Sequence, residues 1–254
     1  MRLIDSHCHF DNPAFDHDRE QLLRQMTPLG ITDVIFPATT AAGWPRLKQI
    51  TDSSPHYHAS YGLHPMFMQQ HTPKHSAQLR TWLEQEVTLA IGECGLDFFI
   101  PNFNQPEQEK IFLQHLTLAR DFDLPLIIHA RKSLDVVLKH IRHIGNLRGV
   151  IHSFSGSPQQ ADQLIAAGFY LGIGGTVTYE RAKRLHKVVR YIPEERLLLE
   201  TDAPDQPDSE WRGKRNEPNR LPVIAQAIAD LRQTSIEHIA NVTTENAVRL
   251  FALA

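Results

Sequence analysis

Eight short apolar runs recur along the chain, each followed by a stretch whose apolar residues have helical spacing. The runs are LIDSHCH, TDVIFPA, HYHASYGLH, TLAIGECGLD, PLIIHAR, GVIHSFS, FYLGIGG and RLLLETDAP. Near-continuous apolar runs of this length suit strands covered on both faces, as parallel sheets are. Between them lie REQLLRQMTPLG, WPRLKQIT, SAQLRTWLEQ, EQEKIFLQHLTLARDF, LDVVLKHIRHI, PQQADQLIAAG, RAKRLHKVVRYI and PVIAQAIADLR. Eight strand–helix units predict an α/β fold of the (β/α)8 TIM barrel type. An open doubly wound sheet shares the alternation but seldom has this many regular units, and no glycine-rich phosphate fingerprint follows the first run. A final helical pattern, IEHIANVTTENAVRLFAL, is expected to pack outside the barrel as an extra C-terminal helix. At 254 residues the chain has the length of one barrel, so residues 1–254 read as a single domain.

Such barrels assemble their chemistry at the C-terminal ends of the strands. The first run ends in His7-Cys8-His9. If Leu3 to Phe10 is extended, alternation puts both imidazoles on one face and turns Cys8 outward to the helices. Polar residues close other runs as well: Glu93 the fourth, His129 the fifth, His152 the sixth and Asp202 the eighth. Each alone has an ordinary explanation, since strand-end aspartates often cap helices. Four histidines and two carboxylates converging on one mouth are instead a donor set for divalent metal. They divide into two positions that share Glu93, whose two oxygens suit a bridge. One position takes His7, His9, Glu93 and Asp202, the other Glu93, His129 and His152. Two divalent ions per chain are therefore expected, with zinc, magnesium and manganese all compatible with these ligands. Asp202 would orient a water and take its proton, which makes Asp202 and the bridging Glu93 the catalytic pair.

The segments His7-x-His9, Gly92-Glu93-x-Gly95-Leu96-Asp97, Ile128-His129-Ala130-Arg131, Ile151-His152-Ser153-Phe154-Ser155-Gly156 and Glu200-Thr201-Asp202-Ala203-Pro204 together resemble the TatD family of metal-dependent hydrolases and deoxyribonucleases. That family is a branch of the amidohydrolase-like barrels. The resemblance extends through Arg215-Asn216-Glu217-Pro218 to the last helix, essentially the whole chain. It implies a metal-dependent hydrolase of ester bonds, nuclease-like, although similar members include a D-aminoacyl-tRNA deacylase type. The chain departs from the family pattern at Cys94, where an aliphatic residue is more usual, and in a shorter, less basic segment after Pro204.

Other polar residues belong to the surroundings of this site. Arg131 follows His129 by two positions, so a continuing strand would turn its guanidinium inward, where it matches phosphate by paired hydrogen bonds. Lys132, Ser153, His64, Arg215 and Asn216 are the further candidates for substrate contact. Asp5 is expected to share the face of His7 and Glu200 that of Asp202, each able to brace a ligand, while Asp97 would orient a histidine or cap the next segment. His17, His56, His71, His115, His140 and His143 read as solvated.

These residues favour a phosphate-bearing substrate, a DNA or RNA end or a small phosphodiester. Hydrolysis of a carboxylic ester or amide at the same site is the alternative, and a metal- or ligand-binding module is the non-enzymatic one. A net charge of −3 offers no broad attraction to nucleic acid, so such a substrate must be held locally. Two cysteines cannot build a disulfide framework, no secretory signal is evident, and no run approaches about 18 apolar residues. A cytoplasmic protein without a membrane segment or an obligatory protein partner is the expectation.

Overall fold

Eight parallel strands follow one another around a single sheet in chain order. In the computed structural model, which describes residues 1–253, they are β1 (Leu3–Asp5), β2 (Ile31–Pro37), β3 (Tyr57–Tyr61), β4 (Ala90–Asp97), β5 (Leu126–Arg131), β6 (Gly149–Ile151), β7 (Phe169–Ile173) and β8 (Leu197–Leu199). The helices between them are α1 (Arg19–Met26), α2 (Trp44–Thr51), α3 (Pro73–Gln85), α4 (Gln105–Phe122), α5 (Leu134–Ile144), α6 (Pro158–Ala166), α7 (Lys183–Tyr191) and α8 (Leu221–Arg232), with α9 (Ile236–Phe251) at the end. The (β/α)8 barrel expected from the eight repeating units is thus present. Its seam is laced rather than laddered: Ser6 N–H donates to Leu199 O at 2.9 Å, and Asp202 N–H to His7 O at 2.8 Å.

Alternation along the strands sorts the core into two layers. Ile4, Ile35, Ala90, Ile127, Val150, Tyr170 and Leu198 meet inside the barrel, while a larger cluster fills the space between sheet and helices. The interior cluster also takes in Ala247, Leu250 and Phe251 of α9. That helix therefore seals the floor of the barrel instead of packing on its outside. Thr244 Oγ1 donates to Arg2 O just before β1, and Asn246 Nδ2 donates to Leu197 O at the start of β8, which pins α9 beneath the strand entries. Two residues beyond Ile127, Val150 and Leu198 come His129, His152 and Glu200, so the interior changes from apolar floor to polar mouth within one pleat.

The strands end earlier than the apolar runs imply. β1 stops at Asp5, so His7-Cys8-His9 lies beyond it, and β6 and β8 stop before His152 and Asp202. The chain stays tied to its neighbours by isolated bonds, Cys8 N–H to Ile35 O and His9 N–H to Ala203 O. Ser153 and Asp202 take left-handed backbone conformations (φ 46° and 59°), so the chain leaves the strand direction at both places, and at Asp202 this aims the carboxylate where a regular strand would not. Cys8 is buried, as expected of a packed thiol.

Three histidines expected in solvent are not there. His115 is fully buried on the apolar stripe of α4, its Nδ1–H donating to Ile111 O (2.8 Å) and its Nε2 accepting the Leu63 N–H (3.0 Å). His140 is buried against Glu109 (2.6 Å), and His71 Nε2 donates to His64 O (2.9 Å). The signal for His115 was its spacing, four residues after Ile111 and three after Phe112. His17, His56 and His143 are exposed.

Burial pushes the His115 imidazole down from 6.5 to about 4. The unfolded chain then takes up a proton below about pH 6.5 that the folded one refuses until about pH 4. The stabilisation from His115 is complete above pH 6.5 and is lost as pH falls towards 4, on the order of 3–4 kcal/mol at roughly 1.4 kcal/mol per pH unit. Urea unfolding at pH 7 and pH 5 should show a smaller acid loss for His115→Gln than for the parent. A native-state NMR titration of His115 near 6.5 would refute the assignment.

Candidate metal centre

Glu93 stands at the middle of the barrel mouth, almost fully buried, and its two carboxylate oxygens face different neighbours. Oε2 lies 3.2 Å from Nε2 of both His7 and His9, and these nitrogens are 3.3 Å apart. Asp202 Oδ1 completes that side at 3.5 Å from His7 and 3.6 Å from His9. Oε1 lies 3.1 Å from His152 Nε2, 3.3 Å from His129 Nδ1 and 2.9 Å from His64 Nε2. The other five residues read from the strand ends thus meet around the Glu93 carboxylate. His64, expected at the mouth as a substrate contact, points instead at Glu93.

The donor set fits divalent cations. Glu93 Oε2, at the centre of the cluster, is buried without a hydrogen bond. Two imidazole pairs bring nitrogens to 3.3 and 3.4 Å, a repulsive arrangement unless a proton or cation lies between them. The far side of His9 donates from Nδ1 to Pro37 O (3.1 Å), and that of His129 from Nε2 to Asp97 Oδ2 (3.0 Å). Such outer bonds fix the tautomer that turns a lone pair inward.

The electrostatics point the same way. Burial alone would raise Glu93, yet His64, His7 and His152 around it hold its carboxyl well below the usual range. Burial disfavours charge on His9 too, but contact with Glu93 raises it to about 9. Its neighbour His7, sharing the same oxygen, is driven well below its ordinary value by burial and by the nearby His152. Burial lifts Asp202 to about 6, with His152 opposing. The cluster thus gathers positive charge about Glu93 even from its own imidazoles.

Braces surround the cluster. Asp97 performs both expected tasks, holding His129 through Oδ2 and accepting the Phe99 N–H through Oδ1. Glu200 accepts the Ser153 N–H and lies 3.5 Å from His152 Nδ1. Asp5 follows the inward-facing Ile4 and so does not share the face of His7, but its Oδ1 accepts the His7 N–H (3.3 Å), and its carboxylate accepts from Thr201 Oγ1 (2.6 Å) and Thr201 N–H (3.0 Å). It ties β1 to the end of β8 rather than sharing a face with His7, and burial raises its pKa to about 7.

The candidates for substrate contact separate into two groups. Arg131 and Ser153 line a cavity of about 920 Å³ that opens over Glu93. Arg131 is half-exposed, stacked at 3.9 Å on the Phe99 ring, with Lys132 4.8 Å from the same ring. Arg215 and Asn216 do not reach the mouth. After Asp205 and Gln206, which line the cavity, the segment folds back beside α1, where Arg215 pairs with Asp18 and Glu217 across the Phe15 ring, and buried Asn216 donates to Thr201 O and Asp205 O. Two arginines that the strand-end rule passed over enter the cavity wall, Arg181 from just before α7 and Arg184 from its first turn. Their only sequence signal is the basic run RAKR at the head of that helix.

A parallel barrel whose mouth gathers imidazoles and carboxylates around one buried glutamate defines a class, the barrel hydrolases that work with bound metal. The chain belongs to the TatD family of metal-dependent hydrolases: the family model described as TatD related DNase matches residues 4–252. It is similar to the uncharacterized metal-dependent hydrolase YjjV of Escherichia coli K12, with 36% identity over 253 residues and 98% of each chain covered. The metal-dependent hydrolase YabD of Bacillus subtilis 168 is 32% identical, with 99% of each chain covered. The crystal structure of YjjV aligns with a TM-score of 0.96 at 35% identity, over 100% of this chain and 99% of that one. Among the described residues no helix is long and apolar enough to cross a membrane.

Glu200 owes its place to a missing side chain. A Cβ at Gly172 would lie 2.1 Å from Glu200 Oε2 and 3.2 Å from the His152 Cα. Gly172→Ala should therefore push Glu200 off His152, costing about 1–3 kcal/mol of stability and roughly 10- to 100-fold in metal affinity. Denaturant unfolding and chelator competition read the two effects, and parental values in both would show that the close approach does not matter.

Proposed function

We propose that this chain hydrolyses phosphoester bonds, acting on a nucleic-acid end or a small phosphodiester with two divalent cations held about Glu93. The observation that carries this reading is the division of the Glu93 carboxylate, Oε2 facing His7, His9 and Asp202 and Oε1 facing His129 and His152. His7, His9, Glu93 and Asp202 would hold one cation, and Glu93, His129 and His152 the other. Bound there, such cations supply positive charge to phosphoryl oxygens and make water more acidic. The family's description as TatD related DNase supports a phosphodiester substrate.

The remaining steps belong to the chain's own residues. Asp202, whose Oδ1 lies 3.5 Å from His7 and 3.6 Å from His9, would orient a water at this side of Glu93 and take its proton. Arg131, Arg181 and Arg184 stand in the cavity wall, where guanidinium edges pair with phosphate oxygens and gain little from a neutral ester. Ser153, its Oγ–H donating to Gln206 Oε1 (2.7 Å), adds a hydroxyl beside the cavity.

Metal-stripped protein reloaded with zinc, magnesium or manganese should cleave phosphodiesters in preference to neutral carboxylic esters and amides. Asp202→Asn should lower turnover about 10²- to 10⁴-fold while the barrel stays folded. His7→Ala with His9→Ala should lower metal content by elemental analysis. Arg131→Ala should weaken phosphodiester cleavage selectively. Equal losses on both ester types, or a preference for carboxylic esters, would overturn the phosphoesterase assignment.

A further inference from the structure

By distance alone His64 belongs with the ligands, since His64, Glu93 and His129 bring donor atoms within reach of one cation. We propose that His64 is instead a positioning residue, a hydrogen-bond donor that fixes the plane of the Glu93 carboxylate and ligates neither metal position. The proposal rests on Glu93 being the carboxylate that two metal positions share.

The argument is one of tautomers. His64 caps the 3-10 turn Pro65–Gln70, and its Nδ1 accepts the Met66 N–H at 3.1 Å. A neutral imidazole has one donor nitrogen and one acceptor nitrogen. With Nδ1 occupied as acceptor, the proton lies on Nε2, 2.9 Å from Glu93 Oε1. Ligating a cation through Nε2 would require lone pairs on both nitrogens, a ring stripped of both protons. His9 and His129 have the opposite arrangement, because their far nitrogens donate, to Pro37 O and to Asp97, so the neutral ring of each can turn a lone pair inward to a cation. The same rule that marks those two as ligands excludes His64.

The residue is held rigidly enough for the task. It is buried, its N–H donates to Thr39 O at 2.9 Å, and its own carbonyl accepts from His71 Nε2 at 2.9 Å. Glu93 has need of such a partner. The terminal torsion of a glutamate is broad and roughly two-fold, and the other side chains within 3.3 Å of this carboxylate are the histidines read as ligands. A single fixed donor on Oε1 sets how the two oxygens are apportioned between the two sides.

Two substitutions separate donor from cap. His64→Asn retains an acceptor for the Met66 N–H but loses the donor to Glu93, whereas His64→Gln places an amide N–H where Nε2 was. Zinc affinity, read by chelator competition, should fall about 10- to 100-fold in His64→Asn and return to within a few-fold of the parent in His64→Gln. His64→Asn should still reach the parental zinc content at saturation, while His129→Ala should fall short. In the unsubstituted protein, NMR of isotopically labelled histidine ring nitrogens should show the His64 proton on Nε2 both before and after zinc is added. Loss of that proton on zinc addition would overturn the proposal, as would a lowered saturating zinc content in His64→Asn or equal affinities for the Asn and Gln variants. None of these readouts involves a substrate, so they stand apart from the test of phosphoester cleavage.

Discussion

One buried negative charge organises the barrel mouth. Removing the Glu93 carboxylate from water costs several kcal/mol unless it is compensated, and the compensation comes from imidazoles at 2.9 to 3.3 Å. Three of those rings are aimed from behind, His9 by Pro37 O, His129 by Asp97 and His152 by Glu200. Glu200 in turn fits only because Gly172 has no side chain. The constraint spreads outward from one carboxylate, through its histidines and their braces, to a glycine in the strand next to β8.

The fold and the cluster were legible in the sequence for different reasons. Each apolar run contains a strand because burial on both faces leaves an unbroken signature. The same signature overshoots at the rim, where Asp5, Ser6 and His7 are as buried as the apolar residues before them, so β1 ends two residues ahead of the first ligand. The six strand-end residues were still found, because their convergence depends on the order of the strands and not on where regular pairing stops. Arg215 and Asn216 were misplaced for want of tertiary information. Their partners include Asp18, 197 residues away from Arg215, and no local pattern indicates that the last loop turns back onto α1. His64 was placed correctly at the mouth, but its direction is set by the turn that follows it, through the Met66 N–H.

Stability and chemistry occupy opposite ends of the same strands. Interior residues such as Ile127, Val150 and Leu198 pack on Leu250 and Phe251 of α9, and the residues one pleat higher are His129, His152 and Glu200. An apolar floor below the cluster supplies a support that close packing renders stiff. Placing the imidazoles at or just past the strand ends, where isolated backbone bonds still hold the chain, keeps them in position before any cation arrives, which lowers the ordering cost of binding.

Overall charge is a poor guide to what such a mouth recognises. The chain carries a net −3, yet Arg131, Arg181 and Arg184 all stand in the wall of the cavity. With a screening length of about 8 Å at physiological salt, an anion inside responds mainly to these neighbours and only weakly to distant acidic surface. Two of the three are also pre-oriented, Arg131 lying on the Phe99 ring at 3.9 Å and Arg181 over Tyr179 at 5.3 Å. Contact with an aromatic ring restricts a guanidinium, so less rotamer freedom remains to be lost when phosphate arrives. For the phosphate-bearing substrate proposed above, selectivity over a neutral ester therefore follows from a few guanidinium groups fixed beside the Glu93 cluster, in a molecule whose total charge would otherwise repel that substrate.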